Sequence, residues 1–127
     1  MHCPKCATKM DDLKFEGVIY RRCEGCSGIW FDGIAHKALK RIPGSDSIDI
    51  GTEAQGHELD GMTDVKCPEC GRAMNRRRDK FQPHIRYETC PMQHGVFFDA
   101  GEFRDFKEET LGDFFRSLSW YFRKSAA

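Results

Sequence analysis

Cys3-Pro-Lys-Cys6 is followed, after sixteen residues, by Cys23-Glu-Gly-Cys26. A gap of two residues lets both thiolates of a tight turn face one ion, and zinc prefers tetrahedral sulfur and nitrogen ligands. Two such turns, brought together by a hairpin, complete the tetrahedron, and this spacing lies within the range that zinc sites use. The sequence therefore predicts one structural zinc ion held by Cys3, Cys6, Cys23 and Cys26.

The same pattern occurs a second time further along the chain. Cys67-Pro-Glu-Cys70 repeats the first turn, and Gly95-Val-Phe-Phe-Asp99 repeats Gly28-Ile-Trp-Phe-Asp32. The order and spacing of these motifs are retained between the copies. The chain therefore contains an internal duplication.

The second unit lacks a fourth cysteine. His94 follows Cys90 one residue later than Cys26 follows Cys23, and an imidazole is a common zinc ligand. We therefore predict a second structural zinc site, formed by Cys67, Cys70, Cys90 and His94. His84 is the competing fourth ligand, although it has no counterpart in the first unit.

Composition and cysteine usage favour metal over disulfides. The chain has 127 residues, of which seven are cysteines, and its formal net charge is zero. Domains of roughly 40 residues seldom bury enough apolar surface to fold without a metal or a disulfide. Met1-His2-Cys3 shows no export signal, and no apolar stretch approaches the roughly 18 residues that would span a bilayer. We expect a cytoplasmic protein with reduced thiols and no membrane partner.

The predicted fold class is small α+β and metal-stabilised, with two tandem zinc ribbons and a C-terminal helix. Each ribbon is expected to contain zinc knuckles, a short antiparallel sheet and a short following helix. The alternating runs from Phe15 to Arg22 and from Phe81 to Thr89 predict strands, and the helices are expected at about 33–41 and 100–110. Asp32 and Asp99 are the expected N-caps of those helices.

Four segments follow from this pattern. Residues 1–42 form ribbon 1, residues 43–64 an acidic and partly disordered linker, residues 65–110 ribbon 2, and residues 111–127 an aromatic-rich helical tail. The sequence leaves open whether the two ribbons pack together. Trp30, Phe31, Phe97 and Phe98 are expected to complete two small cores, whereas His2, His36 and His57 are expected on the surface.

These motifs resemble the bacterial TFIIB-type zinc-finger family. The resemblance covers residues 3–36 and 67–104, and it rests on Cys-Pro-x-Cys, the following methionine and Gly-Ile-Trp-Phe-Asp. It implies zinc-ribbon folds and places the seven cysteines on the family's ligand positions. His94 departs from the family's fourth cysteine, and the first unit lacks the Gly-Glu that Gly101-Glu102 provides. The resemblance carries little information on function.

Protein binding, or self-association through the C-terminal tail, is the first functional hypothesis. An exposed apolar helix typically marks a partner or oligomer surface. The candidate contact residues in the tail are Phe114, Phe115, Leu118, Trp120, Tyr121 and Phe122.

Nucleic-acid binding, in a role related to transcription, is the alternative. A basic cluster surrounds the predicted long loop of ribbon 2, where Phe81 and Tyr87 could stack on bases. The cluster consists of Arg72, Arg76, Arg77, Arg78, Lys80 and Arg86. An enzyme is not expected, because a catalytic zinc needs an open coordination position and both predicted sites have four protein ligands.

Overall fold

The computed structural model describes residues 1–78 and 85–107, and its centre is one antiparallel sheet of six strands. Three of the short helices contribute buried side chains to the apolar core on one face of this sheet. The elements are β1 (Met10–Phe15), β2 (Val18–Cys23), β3 (Ile29–Asp32), α1 (Ala35–Lys40), a 3₁₀-helix (Ser45–Ile48), α2 (Glu53–Asp60), β4 (Asn75–Arg78), β5 (Arg86–Thr89), β6 (Gly95–Phe98) and α3 (102–107).

The prediction of a single strand from Phe15 to Arg22 is wrong, because a two-residue turn divides that run. Glu16 and Gly17 have φ angles of 48° and 80°, which suits a tight hairpin turn. β1 therefore ends at Phe15 and pairs with β2 through six consecutive residue pairs. A glutamate-glycine pair between two alternating segments was the signal for this turn.

The two ribbons share the sheet, whose strand order is β1-β2-β3-β6-β5-β4. β3 and β6 are the equivalent strands of the two repeats, and they pair antiparallel at the centre. Trp30 lies opposite Phe97. The pair on one side of it, Ile29 with Phe98, is equivalent to the pair on the other side, Val96 with Phe31. This register gives the sheet an approximate two-fold axis through the Trp30–Phe97 pair. The ribbons therefore form one folded unit.

Two equivalent glycines let the ribbons approach each other. A Cβ on Gly28 would lie 2.3 Å from Cζ of Phe97, and a Cβ on Gly95 would lie 2.4 Å from Cζ2 of Trp30. Each glycine thus makes room for the aromatic ring of the other ribbon. The repeated Gly-x-aromatic motif is explained by this exchange of rings across the central strand pair.

Alternation along β3 and β6 divides the core between the two faces of the sheet. Trp30 and Phe97 join the cysteine clusters on one face, while Phe31 and Phe98 belong to the larger apolar core under the helices. All four rings are fully buried, as predicted. The buried members of the larger core are Tyr20, Ile29, Phe31, Leu39, Ile48, Ile85, Val96, Phe98, Phe103 and Phe106.

The segment 43–64 is not a disordered linker, since it contains the 3₁₀-helix and α2 and contributes buried side chains. Ser45 and Ile48 are 0% and 2% exposed. Lys107 donates hydrogen bonds to the carbonyl oxygen of Ile42 and to Oγ of Ser45. Ile48 of this segment therefore contributes to the core, whereas Ile50 is 62% exposed, and Asp49 is buried.

The helix caps differ from the prediction. The N-cap position of α1 is Ile34 rather than Asp32, whose carboxylate accepts hydrogen bonds from Arg21 and the Trp30 indole. At α3 the carboxylate of Asp49 accepts from the backbone N–H groups of residues 101 and 104. Asp99 lies before this cap position and accepts from Lys5. A cap supplied from 52 residues away in sequence cannot be recognised from a local motif.

Among the residues that the structure describes, no helix is both long and apolar enough to cross a bilayer.

Candidate metal centres

The structure brings the four cysteines of ribbon 1 into one cluster. Cys3 and Cys6 lie in the turn before β1, Cys23 ends β2, and Cys26 lies in the turn before β3. The Sγ atoms of Cys3 and Cys26 are 3.7 Å apart, and those of Cys6 and Cys23 are 3.3 Å apart. Tetrahedral zinc with Zn–S bonds of about 2.3 Å places its sulfurs about 3.8 Å apart. The cluster fits one zinc ion.

Ribbon 2 forms the second cluster from three cysteines and one histidine. Cys67, Cys70, Cys90 and His94 present ligand atoms that all lie within 4.8 Å of one another. Sγ of Cys90 is 3.7 Å from Sγ of Cys70 and 3.4 Å from Nδ1 of His94. A tetrahedron with one nitrogen ligand predicts about 3.6 Å for the sulfur–nitrogen distance. His94 fits the fourth position, and His84 lies outside the described residues.

A change in backbone conformation accommodates the histidine. Gln93, immediately before His94, has a φ angle of 62°, whereas in ribbon 1 the left-handed residue is Ser27, immediately after Cys26. The left-handed residue thus precedes the ligand in one site and follows it in the other. Both turns then close in the same way, since the N–H groups of Cys23 and Cys90 donate to the carbonyl oxygens five residues ahead.

Backbone N–H groups stabilise thiolates in both clusters. The N–H of Gly25 lies 3.3 Å from Sγ of Cys23, and the N–H of Met92 lies 3.4 Å from Sγ of Cys90. A hydrogen bond from Cys3 is the main reason that the pKa of Cys26 is lowered to about 5. Burial raises the pKa of Cys90, but hydrogen bonds from the N–H groups of residues 94 and 92 and from the thiols of Cys67 and Cys70 together lower it to about 6. Thiolates are the form that binds zinc.

The ligands are also part of the apolar interior. Cys3, Cys23, Cys67 and Cys90 are buried together with Trp30, Phe97 and Met10. Trp30 and Phe97 are fully buried, and they share this cluster with cysteines of both metal sites. Each ion would therefore complete a core that is too small to close by apolar contact alone.

Residues 2–41 match the family model described as transcription factor zinc-finger, the TFIIB-type zinc ribbon. Ribbon 1 is therefore similar to a TFIIB-type zinc ribbon. The match contains all four ligands of the first site, and the second repeat lies outside it. No curated protein and no solved structure matched the chain. The family match and the two ligand clusters together support two zinc ions in this protein.

A buried ion cluster joins ribbon 1 to ribbon 2. Nζ of Lys5 lies 2.7 Å from Oδ2 of Asp99 and 2.9 Å from Oε1 of Glu88, and all three side chains are buried. Arg76 reaches the same Glu88 oxygen at 3.3 Å. Lys5 stands between two zinc ligands, so this contact places the first metal turn directly against ribbon 2. Sequence reasoning missed it, because a lysine in a turn is normally exposed.

Three members of the predicted basic cluster lie on β4, at one edge of the sheet. Arg72 and all four residues of β4, Asn75–Arg78, are exposed, and Arg86 is half-buried in β5. Arg76 is engaged with Glu88 and with the carbonyl oxygen of Met62. Lys80 and Phe81 lie outside the described residues, as do the predicted tail contacts Phe114, Phe115, Leu118, Trp120, Tyr121 and Phe122.

His36 is buried, contrary to the prediction of a surface position, while His2 and His57 are exposed. Its ring lies among aromatic rings, 6.0 Å from Phe98 and 6.2 Å from Phe106 between centroids. Burial, together with the nearby charges of Lys37 and Lys40, lowers the pKa of His36 to about 4. The imidazole is therefore neutral at physiological pH and serves as a core ring.

Proposed function

We propose that this protein is a zinc-stabilised module that binds a protein partner and has no catalytic role. Each cluster offers four protein ligand atoms, which is the full set for tetrahedral zinc. Catalytic zinc sites retain a position for water or substrate. The packing of the ligands against Trp30 and Phe97 also supports structural ions.

An open groove between α1 and the strands of ribbon 2 carries the protein-binding proposal. Its volume is about 560 Å³, and its lining combines apolar groups with the exposed cations Lys37 and Arg77. Ile34 at its rim is 70% exposed. Exposed apolar surface beside polar side chains is typical of interaction sites. A protein segment with both apolar and acidic groups suits this lining.

Nucleic-acid binding is the second candidate, favoured by the exposed arginines of β4. Charged side chains on an edge strand also prevent unwanted strand pairing, which gives them a structural role without a ligand. The ring of Tyr87 stacks on Phe98 with centroids 5.1 Å apart, so one face is already occupied. Four thiolates around zinc carry a net charge of −2, and three thiolates with a neutral imidazole carry −1. These charges weaken attraction to phosphates.

Affinity capture of the tagged, zinc-loaded full chain tests the choice between these candidates. Lysates are compared with and without nuclease, and the control bait is the same protein after chelator treatment. A protein that survives nuclease and binds saturably when purified supports the proposal. Loss of all recovered protein after nuclease, with retention of nucleic acid at low salt, refutes it in favour of the alternative.

Self-association through residues 111–127 stays a prediction. Sedimentation of the full chain and of a chain that ends at Thr110 tests it. Equal monomeric behaviour of both chains would exclude the tail as an assembly surface.

A further inference from the structure

The duplication provides two equivalent grooves in one molecule. Residues 18–40 correspond to residues 85–107 at a constant offset, since Cys23 matches Cys90 and Gly28 matches Gly95. The open groove contains residues of α1 and of β5, including Lys37 and Thr89. The equivalent positions on the other half are Arg104 and Arg22. We call the site at these positions the filled groove.

The chain's own segment 48–51 occupies the filled groove. Ile48 is buried in the apolar core, and its carbonyl oxygen accepts a hydrogen bond of 3.0 Å from Arg22. Asp49 is 3% exposed, and its carboxylate accepts from the backbone N–H groups of Gly101 and Arg104 at 2.9 Å. The Arg104 guanidinium donates to the carbonyl oxygens of residues 49 and 51. An aliphatic residue followed by an aspartate is thus the occupant that this groove geometry accepts.

The open groove keeps the same kind of lining without such an occupant among the described residues 1–78 and 85–107. Its lining includes Tyr87 and Val96, which are equivalent to Tyr20 and Ile29 of the filled groove. Tyr20 and Ile29 belong to the same core as Ile48. His36 also lines it, and its buried Nδ1 has no hydrogen-bond partner within the described part of the chain.

Charge makes the open groove favourable to an acid. Lys37 takes the place of Arg104, and Thr89 takes the place of Arg22. Arg77 corresponds to the apolar Leu13, because each pairs with the equivalent tyrosine of its ribbon, so each groove carries two cations. Among the described residues that line it, none is an aspartate or a glutamate. An incoming carboxylate would therefore meet the cations Lys37 and Arg77, which favours association, and the Cys90 thiolate of the second metal centre is the acidic group that also lines the groove.

We infer that the open groove binds an extended segment of a partner protein in which an aliphatic residue precedes an aspartate. This inference rests on the proposed function and specifies the chemistry of the partner. The aliphatic side chain would lie over Tyr87 and Val96, in the manner of Ile48. The carboxylate would lie near Lys37 and Arg77.

A labelled peptide with the sequence of residues 45–52, Ser-Asp-Ser-Ile-Asp-Ile-Gly-Thr, provides the probe. Its fluorescence anisotropy is titrated with the zinc-loaded full chain. We expect saturable binding that Lys37→Glu combined with Arg77→Glu weakens by roughly tenfold or more. Lys14→Glu combined with Arg72→Glu is the matched control, because both residues are exposed and lie outside the groove.

Changes in the peptide test the same inference without altering the protein. Ile48→Ala and Asp49→Asn peptides should each bind more weakly than the parent peptide. No saturable binding, equal binding by the Lys37→Glu/Arg77→Glu chain, or equal binding of the altered peptides overturns the inference. If a captured protein partner binds the Lys37→Glu/Arg77→Glu chain as tightly as the wild type, the proposed function is supported but the assignment of the groove is wrong.

Discussion

Replacing Lys5 by methionine should destabilise the zinc-loaded protein by about 3–5 kcal/mol, the usual cost of removing one partner from a buried ion pair. The Lys5 side chain has 0% exposure, and its Nζ lies 2.9 Å or less from both Glu88 and Asp99. Methionine keeps most of the volume but no charge. Two carboxylates, each no more than 4% exposed, would then lose their shared cation inside the protein.

Denaturant unfolding at a fixed free zinc concentration measures this loss, since zinc binding itself contributes to stability. Glu69→Met is the matched control, because Glu69 occupies the same position in the second Cys-Pro-x-Cys turn and is exposed; its effect should stay within about 0.5 kcal/mol. Adding Asp99→Asn to the Lys5 variant should restore part of the loss. If Lys5→Met and Glu69→Met unfold alike while both retain two zinc ions, the reasoning from the buried ion cluster is wrong.

Three further predictions concern a buried histidine, a glycine and a zinc ligand. The pKa of His36 is lowered from 6.5 to about 4. The unfolded chain therefore binds a proton that the folded chain excludes. Between pH 7 and pH 5 the free energy of unfolding of the wild type should fall by about 2 kcal/mol more than that of His36→Phe, as measured by denaturant unfolding. Gly95→Ala should cost about 1–3 kcal/mol through its clash with Trp30, while Gly61→Ala, with open space around it, should be nearly neutral in the same assay. In a competitive chelator titration, His94→Ala should lower the zinc affinity of the second site only, whereas His94→Cys should still bind two zinc ions tightly. Equal zinc affinity of His94→Ala and the wild type would contradict the assignment.

The ligand sets and the central strands could be predicted from the sequence, because their chemistry is local. Cys-x2-Cys turns specify a metal by spacing, and Gly28-Ile-Trp-Phe-Asp32 and its repeat show strand alternation directly. His94 could be assigned only because the first repeat indicated where a ligand should stand. These inferences depended on short motifs, on the spacing between them, or on comparison of the two repeats.

The features that were missed depend on contacts between distant segments. From its sequence context Lys5 is expected at the surface, and only the tertiary fold brings Glu88 and Asp99 beside it. Asp49 resembles a linker acid until α3 presents two N–H groups to it. His36 lies on a short helix of mixed composition, and only the packing of the second ribbon buries it. Local propensity contains no information about such partners.

Pairing of the two central strands explains why segment 43–64 and the first metal turn pack against the second ribbon. Each ribbon alone would expose one side of its central strand, since Trp30 and Phe97 each bury their rings against the opposite repeat's glycine. Pairing β3 with β6 removes that exposure and places the Cys3–Cys6 turn, with Lys5 inside it, against the second ribbon. Segment 48–51 then closes one of the two equivalent grooves, and the other has no such occupant among residues 1–78 and 85–107. The two repeats thus differ at this groove, and this is where we expect a partner to bind.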